Sequence, residues 1–388
     1  MRTLLRFLVS RPLLAAAGLT LLLPLPAPAQ HSRHQVRWVH NDRSVQVEVN
    51  GEVEFSETDT EVVRLSPGGR FMLEERRPDR PTHRIEYTST GSDLRETFSV
   101  EGRPRALDAE GRAWLAALLP EVVRETAIGA EGRITRILAR RGVVGVIEEI
   151  ERIRSDSARR IYYRHLLARH ELDARAQARA LRSAGQRIGS DGDKSSLLRE
   201  VGRSLNLEDA QLRGAYFEAV GTISSDGDHA SVLRALLDRA AASDAFFTTW
   251  LASAQTISSD GDKASLLTRA AVRTDRLQSE SVRRAFFGAA GTIRSDGDRQ
   301  RVLTAVLRAE PATSPVAIEA MRNAAGIHSD GDKAAVLLAV PPRLLPDPAV
   351  RRAYEETARS IASDGDRARV LNHLTRYAKG LEVRRGSR

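Results

Sequence analysis

Seven times, at intervals of 34 to 36 residues, the chain repeats Ile-x-Ser-Asp, starting at Ile153, Ile188, Ile223, Ile257, Ile293, Ile327 and Ile361. The last six copies continue Gly-Asp, then Lys, Arg or His, and reach a (Leu/Val)-Leu pair. A unit of this length cannot bury its apolar face alone and does so only by stacking on its neighbours. About two thirds of the chain is therefore bound to form a helical array rather than a single globular core.

With the motif Ile as position zero, position −7 is Tyr216, Trp250, Phe286 or Tyr354, and Leu181 in another copy. Position −3 is small in Gly185, Ala254, Ala290, Ala324 and Ala358. Spacings of −7, −3 and 0 fall on one helix face, and the small residue lets a neighbouring helix approach. Positions +9 and +10 are apolar in every full copy, from Leu197-Leu198 to Val370-Leu371. Each unit thus reads as a helix A ending near Ile, a Ser-Asp-Gly-Asp turn and a helix B. Ile153-Arg154-Ser155-Asp156 continues as Ser157-Ala158 and reads as a degenerate N-terminal cap.

Ahead of the array the apolar period is two. Val45, Val47 and Val49 lead to Asn50-Gly51, then Val53 and Phe55, a pattern that predicts a hairpin because both turn residues tolerate positive φ. Val62 and Leu65, Ser66-Pro67-Gly68-Gly69, then Phe71 and Leu73 predict a second, and Ile85, Tyr87, Phe98 and Val100 two further strands. At Asp108, a plausible N-cap, the period becomes 3.6, with Trp114, Leu115, Leu118 and Leu119 as a stripe. The expected fold is mostly α: a C-terminal α-solenoid of about seven helix-turn-helix repeats behind a small antiparallel β-meander of four to six strands. The expected boundaries are a β domain over 30–105, connecting helices over 106–141, the solenoid over 142–380 and a basic tail over 381–388.

Arg2, Arg6 and Arg11, the uncharged apolar run 13–23 and Ala27-Pro28-Ala29 together read as a secretory signal peptide over residues 1–29. The expected address is the periplasm or the extracellular space, with no membrane span after cleavage; retention of the segment as an anchor is the alternative. Cysteine is absent, which excludes disulfides, thiol nucleophiles and thiolate metal sites. The formal charge of +9 falls to +6 without the three signal arginines, and acids are interspersed with Arg throughout. No basic block marks the chain as a nucleic-acid binder.

The repeated Ser-Asp-Gly-Asp supports three readings. The preferred one is helix capping: each motif Ser accepts from the start of helix B, and the second Asp completes a capping box, with Asp in place of Glu. The Lys, Arg or His that follows would pair with an Asp of the neighbouring turn. The twelve carboxylates concerned are Asp191, Asp193, Asp226, Asp228, Asp260, Asp262, Asp296, Asp298, Asp330, Asp332, Asp364 and Asp366. The alternatives make them an edge for a cationic partner, or a calcium site. Calcium fails in detail, because Gly stands between the two Asp and the twelfth position counted from Asp191 is Gly202, where an EF-hand needs Glu.

No nucleophile elbow, phosphate loop or His-Glu-x-x-His motif occurs; His170-Glu171 is followed by Leu172-Asp173-Ala174. His31 and His34 form at best a weak metal pair, and His165 and His170 are badly spaced for one helix face. No catalytic residue, metal or cofactor is assigned.

The six full motifs, with Leu65-Ser66-Pro67-Gly68-Gly69 and Glu101-Gly102-Arg103, resemble a group of uncharacterised exported bacterial proteins with Ile-x-Ser-Asp-x-(Asp/Glu)-Lys helical repeats. Similar repeats occur in extracytoplasmic parts of antibiotic-sensor-type membrane metallopeptidases. The relatives often carry an aromatic where Gly192 and its equivalents stand. The resemblance implies a HEAT- or tetratricopeptide-like array in the envelope and carries over no catalytic residue. The expected function is a non-enzymatic scaffold for an envelope protein or peptide. The alternatives are a calcium-dependent adhesion protein, or an enzyme accessory with a site in the β domain.

Overall fold

The computed structural model describes residues 33–385 except 41, 92, 170, 238–242 and 273–274. The expected signal segment, His31 and His170 lie outside the described residues.

Strands β1 (Arg33–His40), β2 (Arg43–Asn50), β5 (Arg70–Arg77), β6 (Arg80–Thr90), β7 (Asp93–Val100) and β8 (Arg103–Arg105) form one antiparallel sheet in the order β1-β2-β5-β6-β7-β8. A separate ribbon pairs β3 (Val53–Phe55) with β4 (Val62–Leu65). Neither of the first two expected hairpins forms. Asn50-Gly51 ends β2, which pairs with β1 and β5, while β3 turns away to pair with β4. Residues 51–69 are an excursion between two neighbouring strands, since Asn50 lies opposite Arg70 and Val49 opposite Phe71. The two glycine-bearing turns abut: Ser66 Oγ accepts from Glu52 N–H at 3.0 Å, and a side chain on Gly51 (φ 87°) would collide with that hydroxyl. Alternation alone identifies strands but not their partners. The β6–β7 hairpin forms as expected, with Ile85 opposite Phe98.

Helix α1 (Ala109–Thr126) lies on the sheet. Its Leu115, Leu118, Leu119, Val122 and Val123 share a buried cluster with Val45, Val47, Val49, Phe71, Leu73, Ile85 and Phe98. An 18-residue helix read from sequence as a connector therefore supplies the second layer that the sheet's apolar face requires. The second cluster starts at Ala127 and runs through the array to Leu374.

Among the described residues, fourteen further α-helices build the array. Helix α2 (Ala130–Glu151) is broken at Gly142, whose φ of 62° and ψ of −170° no helix interior accommodates. Its second half is the first helix A, followed by α4 (Ala174–Arg187), α6 (Ala210–Val220), α8 (Asp244–Gln255), α10 (Glu280–Gly291), α12 (Ser314–Ala324) and α14 (Pro348–Arg359). The B helices are α3 (Asp156–Leu167), α5 (Asp191–Val201), α7 (Asp226–Leu236), α9 (Asp260–Ala271), α11 (Asp296–Arg308), α13 (Asp330–Leu338) and α15 (Asp364–Arg385). The chain is a helical repeat array behind an antiparallel β region, as the period required.

The residues at −7 are core: Tyr216, Trp250, Phe286 and Tyr354 are all buried. Each polar one places its hydrogen on a helix-B carbonyl: Tyr216 on Leu198 O at 2.7 Å, Trp250 on Leu233 O at 2.9 Å and Tyr354 on Val370 O at 3.1 Å. Such anchoring lets a large amphipathic ring be buried without an orphaned donor. The small residue at −3 acts as expected at Gly185, where an added Cβ would lie 3.0 Å from Ala219 Cα of α6.

A buried ionic cluster joins the two cores. Arg133 of α2 lies 2.7 Å from Asp59 of the β3–β4 turn and 2.9 Å from Glu149, and donates to Tyr162 Oη at 3.2 Å. Arg136 and Arg124 complete it, on Asp59 and Glu149 respectively.

Candidate functional site

The seven Ser-Asp turns are the only recurrent chemistry, so they are the first candidate. Ser155, Ser190, Ser225, Ser259, Ser295 and Ser329 occupy N-cap positions, each hydroxyl accepting from the N–H three residues on. Ser363 does the same for Asp366 N–H at 3.3 Å. The capping expectation holds at Ser and stops there. A reciprocal capping box needs the Ser N–H for the second Asp, and that N–H is already engaged by another repeat.

Its partner is the first Asp of the preceding motif. Asp156 accepts from Gly189 and Ser190 N–H at 3.0 and 2.8 Å, and Asp191 from Ser224 and Ser225 at 3.0 and 2.9 Å. Asp226 takes Ser258 and Ser259 at 3.0 and 2.7 Å, and Asp260 takes Arg294 and Ser295 at 3.0 and 2.8 Å. Asp296 takes His328 and Ser329 at 3.1 and 2.8 Å, and Asp330 takes Ser363 at 2.7 Å. The first turn is held the same way by Glu125 of α1, which accepts from Arg154 and Ser155 N–H at 3.1 and 3.0 Å. Sequence reasoning missed Glu125 because it belongs to no repeat.

The cation at +6 completes each joint, and here the expectation of pairing with a neighbouring Asp is wrong. Arg159, Lys194, Arg299 and Lys333 donate to the carbonyls of Arg187, Thr222, Gly326 and Ser360, at 2.6 to 2.9 Å. These carbonyls stand at the C-terminal end of the next helix A, where a cation meets the negative end of the dipole. Lys263 uses Thr292 Oγ1 at 2.9 Å instead. Lys194 does pair with an acid at 3.0 Å, but with Asp191 of its own turn. Four of these groups, Lys194, His229, Lys263 and Lys333, are buried. A joint is thus a two-sided clamp: Asp holds two donors of the next turn, and the cation holds the acceptor just before it.

His229 is the exception. Its Nε2 lies 2.9 Å from Ser253 Oγ, and burial pulls its pKa below the ordinary imidazole value, with Asp226 opposing. A depressed imidazole favours the neutral form, so its contribution to stability is intact above the unfolded pKa of about 6.5 and is lost as pH falls through the lower folded value. The wild type should lose more melting temperature between pH 7.5 and 5 than His229→Lys, whose charge is fixed over that range. Parallel pH profiles from thermal unfolding would refute this. The joint carboxylates act in a lower window. His328 N–H holds Asp296, and Ser363 N–H holds Asp330, below the ordinary carboxylate range. Their contribution is present above about pH 4 and lost below it.

The second Asp of each motif is half-buried: Asp298 pairs with Arg301 at 2.9 Å and Asp366 with Arg369 at 3.0 Å within one helix, while Asp193 pairs with Arg160 of the preceding helix B at 3.1 Å. Among the described residues no three His, Asp or Glu side chains converge as a metal would need. Chelator should leave the melting temperature unchanged and excess calcium should not raise it; a clear rise would mean that native-state binding supplies stability.

A cleft of about 650 Å³ lies between α1 and the end of the sheet. The inward row Phe71, Leu73 turns ionisable at Glu75 and Arg77, and the row Tyr87, Ile85 turns to His83. Glu75 is buried and saturated: Trp114 Nε1 donates at 2.7 Å, Arg77 at 2.9 Å, and Arg43 pairs with it. Burial works against ionisation there, and these donors overcome it, holding the carboxyl below its usual range. A carboxylate so engaged cannot exchange protons near neutrality. His83 stacks on Trp114 at 5.2 Å and on Phe98 at 6.0 Å. The sequence signal for the cleft was the break in two apolar rows, which alternation counting passed over.

No protein-family model, curated protein or solved structure matches the chain.

Proposed function

We propose that the protein is a stiff, exported scaffold that presents helical surfaces to a protein or peptide of the cell envelope. The observation that supports this reading is the use made of the repeated polar residues. Each motif Ser caps its own helix, and the first Asp and the cation are turned onto the next repeat. The chemistry repeated along the chain is therefore architectural. Saturated Glu75 speaks against acid–base work in the β-region cleft. Among the described residues no helix is long and apolar enough to cross a membrane. Export rests on the expected signal segment, and a mature chain beginning at Gln30 would support it.

The test uses the full chain immobilised against a solubilised cell-envelope fraction, followed by titration of each retained protein, purified, into the purified chain. Saturable binding of at least one is expected. Failure of every retained protein to bind directly would overturn the scaffold reading.

A further inference from the structure

The joints can be counted. The seven turns of the array are held by seven carboxylates, Glu125, Asp156, Asp191, Asp226, Asp260, Asp296 and Asp330. An eighth carboxylate of the same kind, Asp364, holds none among the described residues. Its side chain is 91% exposed, and its contact is with Arg367 of its own helix. Arg367, which stands where Lys333 and Arg299 reach the next helix A, donates to Ile361 O of its own repeat at 3.1 Å. Leu371 is 39% exposed, whereas Leu198, Leu233, Leu267, Leu303 and Leu337 at the same position are at most 1% exposed. Ala368 is exposed where Ala230, Ala264 and Ala334 are buried.

Among the described residues, no helix A follows the last motif to fill this joint. After each other full motif a new helix A begins 21 to 23 residues past the Ile, as at Ala210, Asp244, Glu280, Ser314 and Pro348. Here the corresponding stretch is still α15, which runs unbroken through 22 residues to Arg385. A second copy of the chain is also a poor occupant, since each of its seven turns is already held.

We infer that Asp364, Arg367, Ala368 and Leu371 form a vacant eighth joint, which docks a helix-turn-helix unit of a different protein. The unit must end one helix on a free carbonyl for Arg367, then offer two successive backbone N–H groups to Asp364 and an apolar helix face to Leu371. Recognition is of backbone and shape, as in the joints within the array, and the occupant is a protein of the same helical-repeat build. This inference rests on the scaffold reading and locates its docking surface.

The probe is a labelled peptide of residues 312–341, which carries α12, the Ile327-His328-Ser329 turn and α13, the unit that docks on Asp296 within the chain. Its binding to the full protein is read by fluorescence anisotropy. Saturable binding is expected, weakened at least tenfold by Asp364→Asn or Leu371→Asp and unchanged by Asp298→Asn, whose carboxylate pairs with Arg301 of its own helix. Because a short helical pair folds poorly alone, the same unit is also joined to residue 388 through a long glycine–serine linker, where about millimolar effective concentration offsets weak docking. Amide exchange over 367–374 should slow in this fusion and return to the unfused rate with Asp364→Asn. No slowing, or slowing indifferent to Asp364→Asn, overturns the vacant joint. An envelope protein that binds wild type and Asp364→Asn equally would leave the scaffold reading standing and sink this one alone; slowing in the fusion without any envelope partner would do the reverse.

Discussion

Arg133→Met should destabilise the protein by about 3–5 kcal/mol, because it removes one cation from between two buried carboxylates. The side chains of Asp59 and Glu149 are only 7% and 5% exposed, and Arg133 itself 8%. Breaking a buried pair costs far more than the pair contributes, since the remaining charges are left out of water without a partner. Arg136 and Arg124 reach the same acids from the side and limit the loss. The position of the cluster also decides where the damage spreads. Asp59 belongs to the turn between β3 and β4, Arg133 and Glu149 to α2, and Tyr162 to α3. Hydrogen exchange should therefore quicken on both sides, in the ribbon as well as in α2 and α3, with the repeats beyond Ile257 little changed. A change confined to the array would show that the ribbon is held by its other contacts and that the cluster does not couple the two cores. Arg133→Lys distinguishes charge from geometry: Arg133 reaches Asp59, Glu149 and Tyr162 from three separate nitrogens, a span that one ammonium nitrogen does not have, so Lys should recover only part of the stability.

How far the sequence could be read depended on whether the relevant partner was near in the chain or far. Ser190 announces a cap because its acceptor role is played out within three residues, and Trp250 announces a core position because its stripe is a property of one helix. Pairing across elements carries no such local mark. Asn50-Gly51 has hairpin chemistry, yet β2 finds β5 rather than β3, and nothing in the alternation distinguishes those outcomes. The same blindness hid the joints. Asp191 looks like a capping-box or dipole residue in its own turn, while its two donors lie 33 and 34 residues on. Their separation nearly equals the repeat, so the motif spacing contained the answer without showing which atoms met. Glu125 had no signal at all: it substitutes for a motif Asp from a helix of different parentage, and only the docking of α1 against the first turn brings it there. His83 and Glu75 were legible in retrospect, as ionisable residues on rows that should have stayed apolar.

The clamp makes a second quantitative claim, that chemically equal Asp residues differ in worth by their place in the array. Asp191→Ala takes the acceptor from two backbone N–H groups, Ser224 and Ser225, and the counter-charge from buried Lys194. Hydrogen bonds to a charged group are worth about 1.5–3 kcal/mol each, and a carboxylate still 23% exposed keeps part of that in water. The expected loss is about 2–3 kcal/mol in all, concentrated in the repeats on either side because array stability is a sum of intrinsic and nearest-neighbour terms. Asp191→Asn should recover only part of the loss: its amide oxygen can replace the one oxygen that accepts both N–H groups, but it brings no charge for them or for Lys194. Asp364→Ala removes the same residue from the same motif and should leave the melting temperature of the isolated protein unchanged, because its carboxylate holds no turn. Equal losses from both substitutions would show that the Asp acts through its own helix dipole, which both positions share, and not through the next repeat. Unequal losses in the stated order place the stabilisation in the joint, where a carboxylate of one repeat supplies the acceptor that the turn of the next cannot supply for itself.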